Sequence, residues 1–269
     1  MKKGTKSEHE AYIARVRRKR AAVTAARLMI LGLFVIIWEA AARGGVINAF
    51  IFSSPSRVAA TVARLYASGE LFYHIGVTMA ETALGFTVGT LLGTVIAALL
   101  WWSPTLEEIL DPFMVVLNAL PKIALGPILI VWVGAGMMSI VVMALLVSTV
   151  VTVMTVLTGF NDISGEKHLL MKTLGATRMQ TFFKVVLPAS VPTVISALKI
   201  SVGMSWVGVI VGEYLVSKAG LGYLIVYGGQ VFKLDLVMAS IVILCALAAI
   251  MYYLVAALEK AMLKKRGEV

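Results

Sequence analysis

Long stretches without Asp, Glu, Lys or Arg dominate the pattern along the chain: Thr82 to Leu106, Ile123 to Asn161 and Leu236 to Leu258 run for 25, 39 and 23 residues. A hydrocarbon core of about 30 Å needs roughly 20 helical residues, so each stretch is long enough to cross a bilayer. With the apolar stretch Leu28 to Ala42, the pattern predicts six spans, at 28 to 42, 75 to 101, 110 to 133, 138 to 160, 188 to 213 and 235 to 258. The 39-residue run is too long for one helix, and Gly134, Ala135 and Gly136 supply the turn within it. Residues 43 to 74 are more polar. Ser53, Ser54, Pro55 and Ser56 read there as a turn, and Val58, Val62 and Leu65 as one face of a surface helix.

Composition narrows the class. Sixty per cent of the 269 residues are apolar and 14% charged, with a mean hydropathy of +0.94. A soluble domain, a secreted disulfide scaffold and a disordered tail are excluded. The single cysteine, Cys245, has no partner for an internal disulfide and reads as a small buried apolar residue. The first apolar stretch follows a basic segment and ends in three alanines, as a cleaved signal peptide would. The long basic region, the interruption by Trp38 and Glu39, and the hydrophobic spans that follow favour a retained helix.

The net charge of +10 sits at the ends, with nine Lys and Arg against two Glu in residues 1 to 27 and four against two in residues 259 to 269. Short tails of this kind attract anionic headgroups and orient a membrane protein; they lack the folded basic face a nucleic-acid reader needs. With both termini inside, the inner segments hold 17 Lys and Arg and the outer ones 5. That bias predicts cytoplasmic termini, a cytoplasmic 161 to 187 loop, and extracytoplasmic segments at 43 to 74 and 214 to 234.

The 161 to 187 loop reads as two short helices around Gly175 and Ala176. Thr177 and Gln180 have capping-box spacing, and Met179, Phe182, Phe183 and Val186 follow at helical intervals. Such an element either lies on the lipid interface or docks a cytoplasmic partner.

From Leu169 to Pro188 the sequence resembles the cytoplasmic signature of the binding-protein-dependent ABC importer permeases. Gly175 stands at the signature glycine, nine residues separate it from Val185, and Leu187-Pro188 supplies the Leu-Pro; Leu169, Leu170 and Met171 replace the Glu-Ala-Ala triplet. Pro121, Pro127, Trp132 and Gly134, and Glu213 with Gly220-Leu221-Gly222, extend the resemblance to about 75 to 260, most closely to the nitrate, sulfonate, taurine and bicarbonate branch. The resemblance implies an all-α membrane protein of six transmembrane helices with the type I ABC importer permease fold, similar to the methionine importer permease. It implies a permease core at 75 to 260, following a basic tail at 1 to 27 and a first span with its connection at 28 to 74, and preceding a second basic tail at 261 to 269.

The implied partners are a second permease subunit (a homodimer), two ATPase subunits and an extracytoplasmic solute-binding protein, assembled in the lipid bilayer of a bacterial inner membrane. Leu169, Leu170, Met171, Leu174, Gly175 and Ala176 would form the ATPase contact. The chain contains no Gly-x-x-x-x-Gly-Lys-Ser/Thr, so ATP and magnesium are expected on the partner ATPases and no cofactor or metal in this chain. His9, His74 and His168 lie outside the spans or at their edges, and no Gly-x-Ser-x-Gly occurs, which disfavours a membrane hydrolase.

Gly85, Gly89 and Gly93 recur every four residues, and Ser201, Ser205, Gly208 and Gly212 form a similar face. These faces pack within one subunit or against a dimer partner or pore. Lys199, Trp206 and Glu213 are spaced by seven and share a stripe expected to face a cavity or other helices, although Glu213 is near enough to the outer end to snorkel. Asn118, Pro121, Lys122 and Pro127 interrupt the third span. Proline frees the carbonyl four residues earlier, here of Leu117 and of Ile123, and broken backbone at membrane depth lines a wet cavity or is buried in protein. Asn118, Pro121, Lys122, Pro127, Lys199, Ser205, Trp206 and Glu213 are therefore candidates for a solute pathway. The alternative function is an ion-coupled secondary transporter that uses the ionisable residues of its spans.

Overall fold

A 41-residue helix, α1 (Lys3–Arg43), opens the chain. In the computed structural model, which describes residues 3–265, the basic segment and the first apolar stretch form this single rod, about 60 Å long at 1.5 Å per residue. Tail residues 1–2 and 266–269, on which the charge reading draws, lie outside the described residues. After α2 (Ala49–Phe52), the predicted serine and proline turn becomes a helix start: Ser54 caps α3 (Pro55–Ala67), with Pro55 in the first turn. Val58, Thr61 and Leu65 are its buried face.

The remaining helices are α4 (Glu70–Trp102), α5 (Pro104–Ala119), α6 (Gly126–Val133), α7 (Met137–Asn161), α8 (Gly165–Thr173), α9 (Arg178–Thr181), α10 (Leu187–Val216), α11 (Leu221–Gln230) and α12 (Leu234–Lys265). Among the described residues, five helical stretches have the length and apolarity to cross a bilayer, and α5 with α6 makes a sixth path bent by 87°. We call the end of the bundle holding α8 and α9 the basic end, and that holding α3 and α11 the opposite end.

Helices α4, α7 and α10 form the centre, and small residues set their approach. A Cβ added at Gly85 would lie 2.6 Å from the Ala144 Cβ, one at Gly89 2.5 Å from the Ser148 Oγ, and one at Gly93 2.7 Å from the Thr152 Cβ. On α10, a Cβ at Gly208 would meet the Ala144 backbone at 2.5 Å and one at Gly212 the Ile140 backbone at 2.9 Å. Both small-residue faces thus pack on α7 within the subunit. Thr152 Oγ1 and Ser201 Oγ, 2.5 Å apart, share a hydrogen bond between α7 and α10.

The third span breaks where its prolines predict. Helix α5 stops at Ala119, a 3₁₀ turn occupies Lys122–Leu125, and α6 leaves at a new angle. Lys122 Nζ donates a 3.0 Å hydrogen bond to the Asn118 carbonyl, so the ammonium closes the C-terminal end of α5, where cations are favoured. The Ile123 carbonyl, expected to be left free by Pro127, instead accepts from the Gly126 N–H as the 3₁₀ turn tightens. The turn into α7 follows at Gly134 and Gly136, both with positive φ. Cys245 corrects an expectation: it is exposed on the outer surface of α12, because the apolar solvent for which that face is built is lipid.

Candidate functional site

The four N–H groups that open α11 have no partner within the helix, and side chains take all four. Gly220 N–H donates to His74 Nδ1 at 3.0 Å and Leu221 N–H to Thr78 Oγ1 at 2.8 Å. Glu213 Oε2 accepts from the N–H groups of Gly222 at 2.5 Å and Tyr223 at 3.3 Å. Thr78 Oγ1 in turn donates to Glu213 Oε1 at 2.6 Å. His74 and Thr78 lie one turn apart on α4, while Glu213 ends α10, so three helices meet at one helix start. A carboxylate there also opposes the positive end of the helix dipole.

Glycine is required at this start. Gly220 has φ +105°, and a Cβ on it would run into the Glu213 carboxyl group; a Cβ on Gly222 would stand 2.8 Å from Glu213 Oε2. Glu213 is 1% exposed and does not snorkel. Glu81, also buried, lies one further turn along α4, and its Oε2 has no hydrogen-bond partner among the described residues. The residues missed from sequence are His74, Thr78 and Glu81. Their signal is a polar stripe at i, i+4 and i+7 on an otherwise apolar helix.

At the basic end, α8 exposes Leu169, Leu170 and, just beyond it, Leu174 at 63, 58 and 71%. The same short helix carries Glu166, Lys167, His168 and Lys172, which suits water or headgroups and not hydrocarbon. Met171 and Ala176 are half-buried, and Gly175 turns the chain with φ +69°. The Thr177 hydroxyl accepts from the Gln180 N–H at 3.2 Å, and the Gln180 side chain accepts from the Thr177 N–H at 2.9 Å, completing the capping box.

The exposed segment is firmly tied to the bundle. The Arg178 guanidinium donates to the Trp101 carbonyl at 3.3 Å and lies 5.5 Å above the Trp101 ring. Phe182 sits 5.0 Å from Trp101 and 5.5 Å from Phe160, joining α4, α7 and the start of α10. Pro188 brings no N–H, and the turn before it, Phe182–Val186, widens into a π-helix whose Leu187 N–H reaches back to Phe182. Asn161 Nδ2 donates to Glu107 Oε1 at 2.7 Å, fixing the end of α7 to α5.

The stripe of α10 splits between partners. Lys199 Nζ lies 2.8 and 2.9 Å from the two carboxylate oxygens of Glu259 on α12. Trp206 is buried with Leu65, Leu71, Leu221 and Leu224. Ser205 is buried, and its Oγ and the Trp206 Nε1 have no hydrogen-bond partner among the described residues. Asn118 and Pro121 lie far from this cluster in sequence and remain exposed, as does Pro127; Lys122 is half-buried. The structure does not gather the eight pathway candidates into one site within the subunit.

Residues 89–264 match the family described as binding-protein-dependent transport system inner membrane component. A Haemophilus influenzae protein named "Probable ABC transporter permease protein" is 33% identical over 227 residues, covering 84% of this chain and 91% of that one. The taurine transport system permease protein TauC of Escherichia coli is 23% identical over 244 residues, covering 89% of each chain. Among solved structures, an inward-facing MetNI methionine ABC transporter superposes with a TM-score of 0.63 at 20% identity, over 70% of this chain and 94% of that chain. The fold is that of the type I ABC importer permeases, and the chain belongs to the family of binding-protein-dependent transport system inner membrane components.

Proposed function

We propose that this chain is the membrane subunit of an ATP-driven importer in a bacterial inner membrane, moving a small anion such as a sulfonate or nitrate inward by alternating access. The observation that carries this reading is the exposed leucine face at the basic end. Leu169 and Leu170 on a polar helix, and Leu174 just past its end, stand outside the apolar spans, where nothing among the described residues covers them. A partner ATPase seated there buries them, with Met171, Gly175 and Ala176 shaping the contact. Its movement passes through Arg178 and Phe182 into α4 and α10.

Two ATPase subunits, holding ATP and magnesium, serve two permease subunits. The second permease is a copy of this chain, seated on α5 and α6. Helix α5 has no buried residue, and Val131 and Trp132 of α6 are 82 and 78% exposed. The route for solute passes beside the break at Asn118 to Pro127, where backbone and the Lys122 ammonium are close to this uncovered face. Ser205, Trp206 and Glu213 support the route from behind, and an extracytoplasmic binding protein delivers solute at the end formed by α3 and α11.

The test is uptake into proteoliposomes containing the permease and its ATPases, with binding protein added outside. Labelled taurine or nitrate should accumulate only with ATP inside the complex's reach and binding protein present. Uptake driven by a proton or sodium gradient without ATP would contradict this reading and favour ion-coupled transport.

A further inference from the structure

A cavity of about 880 Å³ opens at the opposite end of the bundle, between α3, α11 and the start of α12. Its charges are unequal. Arg57, Arg64, Lys218 and Lys233 line it, against Glu70 and Asp235. Asp235 is already satisfied, since its oxygens accept from Arg57 at 2.8 and 3.1 Å and from Ser53 at 2.7 Å. Arg64 donates to the neutral Thr61 hydroxyl at 2.8 Å. Lys233 lies 6.0 Å from the Tyr227 ring, a contact that leaves its charge uncompensated. Lys218 is exposed and makes no ion pair among the described residues. After the Arg57–Asp235 pair is set aside, three cations face one carboxylate in a single concave space.

The opposite wall is rigid and partly apolar. His74, Tyr223 and Tyr227 form a ladder of rings, with centroids 6.1 and 5.9 Å apart and planes within 19°. His74 and Tyr223 are held by the hydrogen bonds that start α11, so this wall is preorganised. Low-dielectric walls around one sign of charge focus the field and concentrate counter-ions. Arginine adds a planar fork suited to the oxygens of a sulfonate, phosphate or carboxylate.

We propose that this cavity binds an oxyanion group, with Arg64 and Lys218 as its principal ligands and Lys233 at its rim. The group belongs either to a small soluble anion arriving at this face or to the headgroup of an anionic lipid. A site here deepens the transport reading by giving this permease a selective anion contact of its own, and it rests on that reading for its physiological role. Binding itself stands independently of ATP coupling.

The experiment is calorimetric titration of ethanesulfonate into the full permease complex in phosphatidylcholine nanodiscs without ATP, with tetramethylammonium as the cationic control. Saturable binding of ethanesulfonate and none of tetramethylammonium is expected. The double variant Arg64→Gln, Lys218→Gln should weaken it at least tenfold, whereas Lys184→Gln with Lys260→Gln, which removes the same charge away from this cavity, should not. Repeating the titration with phosphatidylglycerol in the disc separates the sources: competition supports a lipid headgroup in the site, and undiminished binding supports a free anion. Absence of saturable binding in the unaltered protein, or equal affinity in the Arg64 and Lys218 double variant, overturns the proposal. Failure here would leave ATP-driven uptake unaffected, so the two readings fail separately.

Discussion

Glu213 on α10 accepts a 2.6 Å hydrogen bond from Thr78 on α4, a residue 135 positions earlier, and with its other oxygen receives the start of α11. Through this pair a short helix at one end of the bundle is fixed to two long ones. Thr78→Val keeps the shape of the side chain and removes both of its hydrogen bonds. It should cost about 1–3 kcal/mol for each buried group left unpaired. Thermal unfolding in detergent and faster amide exchange at residues 220–223 read this out; exchange unchanged at those four residues would contradict the assignment.

Glycines at the helix contacts divide into two classes. Gly208→Ala drives a Cβ onto the Ala144 backbone at 2.5 Å, whereas Gly203→Ala, on the same helix, meets nothing within 4 Å. The first should destabilise by about 1–3 kcal/mol, and the second should be neutral or stabilising by up to about 1 kcal/mol. Comparing unfolding temperatures of the two variants checks the packing directly, since equal effects would deny the close approach.

Lys199 and Glu259 form an ion pair with side chains 23 and 18% exposed. Lys199→Met strands a carboxylate against an apolar surface, and Glu259→Gln strands the ammonium. Lys199→Met combined with Glu259→Gln should therefore destabilise less than the sum of the two single changes. A double-mutant cycle on unfolding should give a coupling of about 0.5–3 kcal/mol. A coupling of zero would return Lys199 to the list of charges that need another explanation.

These residues also mark where sequence stops being sufficient. The spans were legible because membrane thickness imposes a length on apolar runs, and the turn at Gly134 to Gly136 and the capping box at Thr177 and Gln180 were legible because their chemistry is local. Lys122 was visible as an anomaly, but its capping of the Asn118 carbonyl depends on where α5 stops. The Lys199–Glu259 pair and the Thr78–Glu213 bond join residues 60 and 135 positions apart, and no local pattern specifies such partners. Thr78 and Glu81 lie just before the uncharged run, which Glu81 itself delimits at Thr82, so the apolar pattern does not mark them. Apolar surroundings in the sequence suggest a protein core around Cys245, whereas in a membrane the apolar exterior, where Cys245 lies, has the same composition.

The central claim, that the basic-end leucines seat an ATPase, is tested most directly by copurification of the permease with its ATPase after Leu170→Asp and Leu174→Asp. Each leucine contributes about 1.5–3 kcal/mol if fully buried in the contact, which is roughly ten- to a hundredfold in affinity. The double variant should insert and fold as the unaltered protein does, lose the ATPase on purification, and show no solute-stimulated ATP hydrolysis. Retention of the ATPase at unaltered stoichiometry, with stimulated hydrolysis intact, would contradict the account.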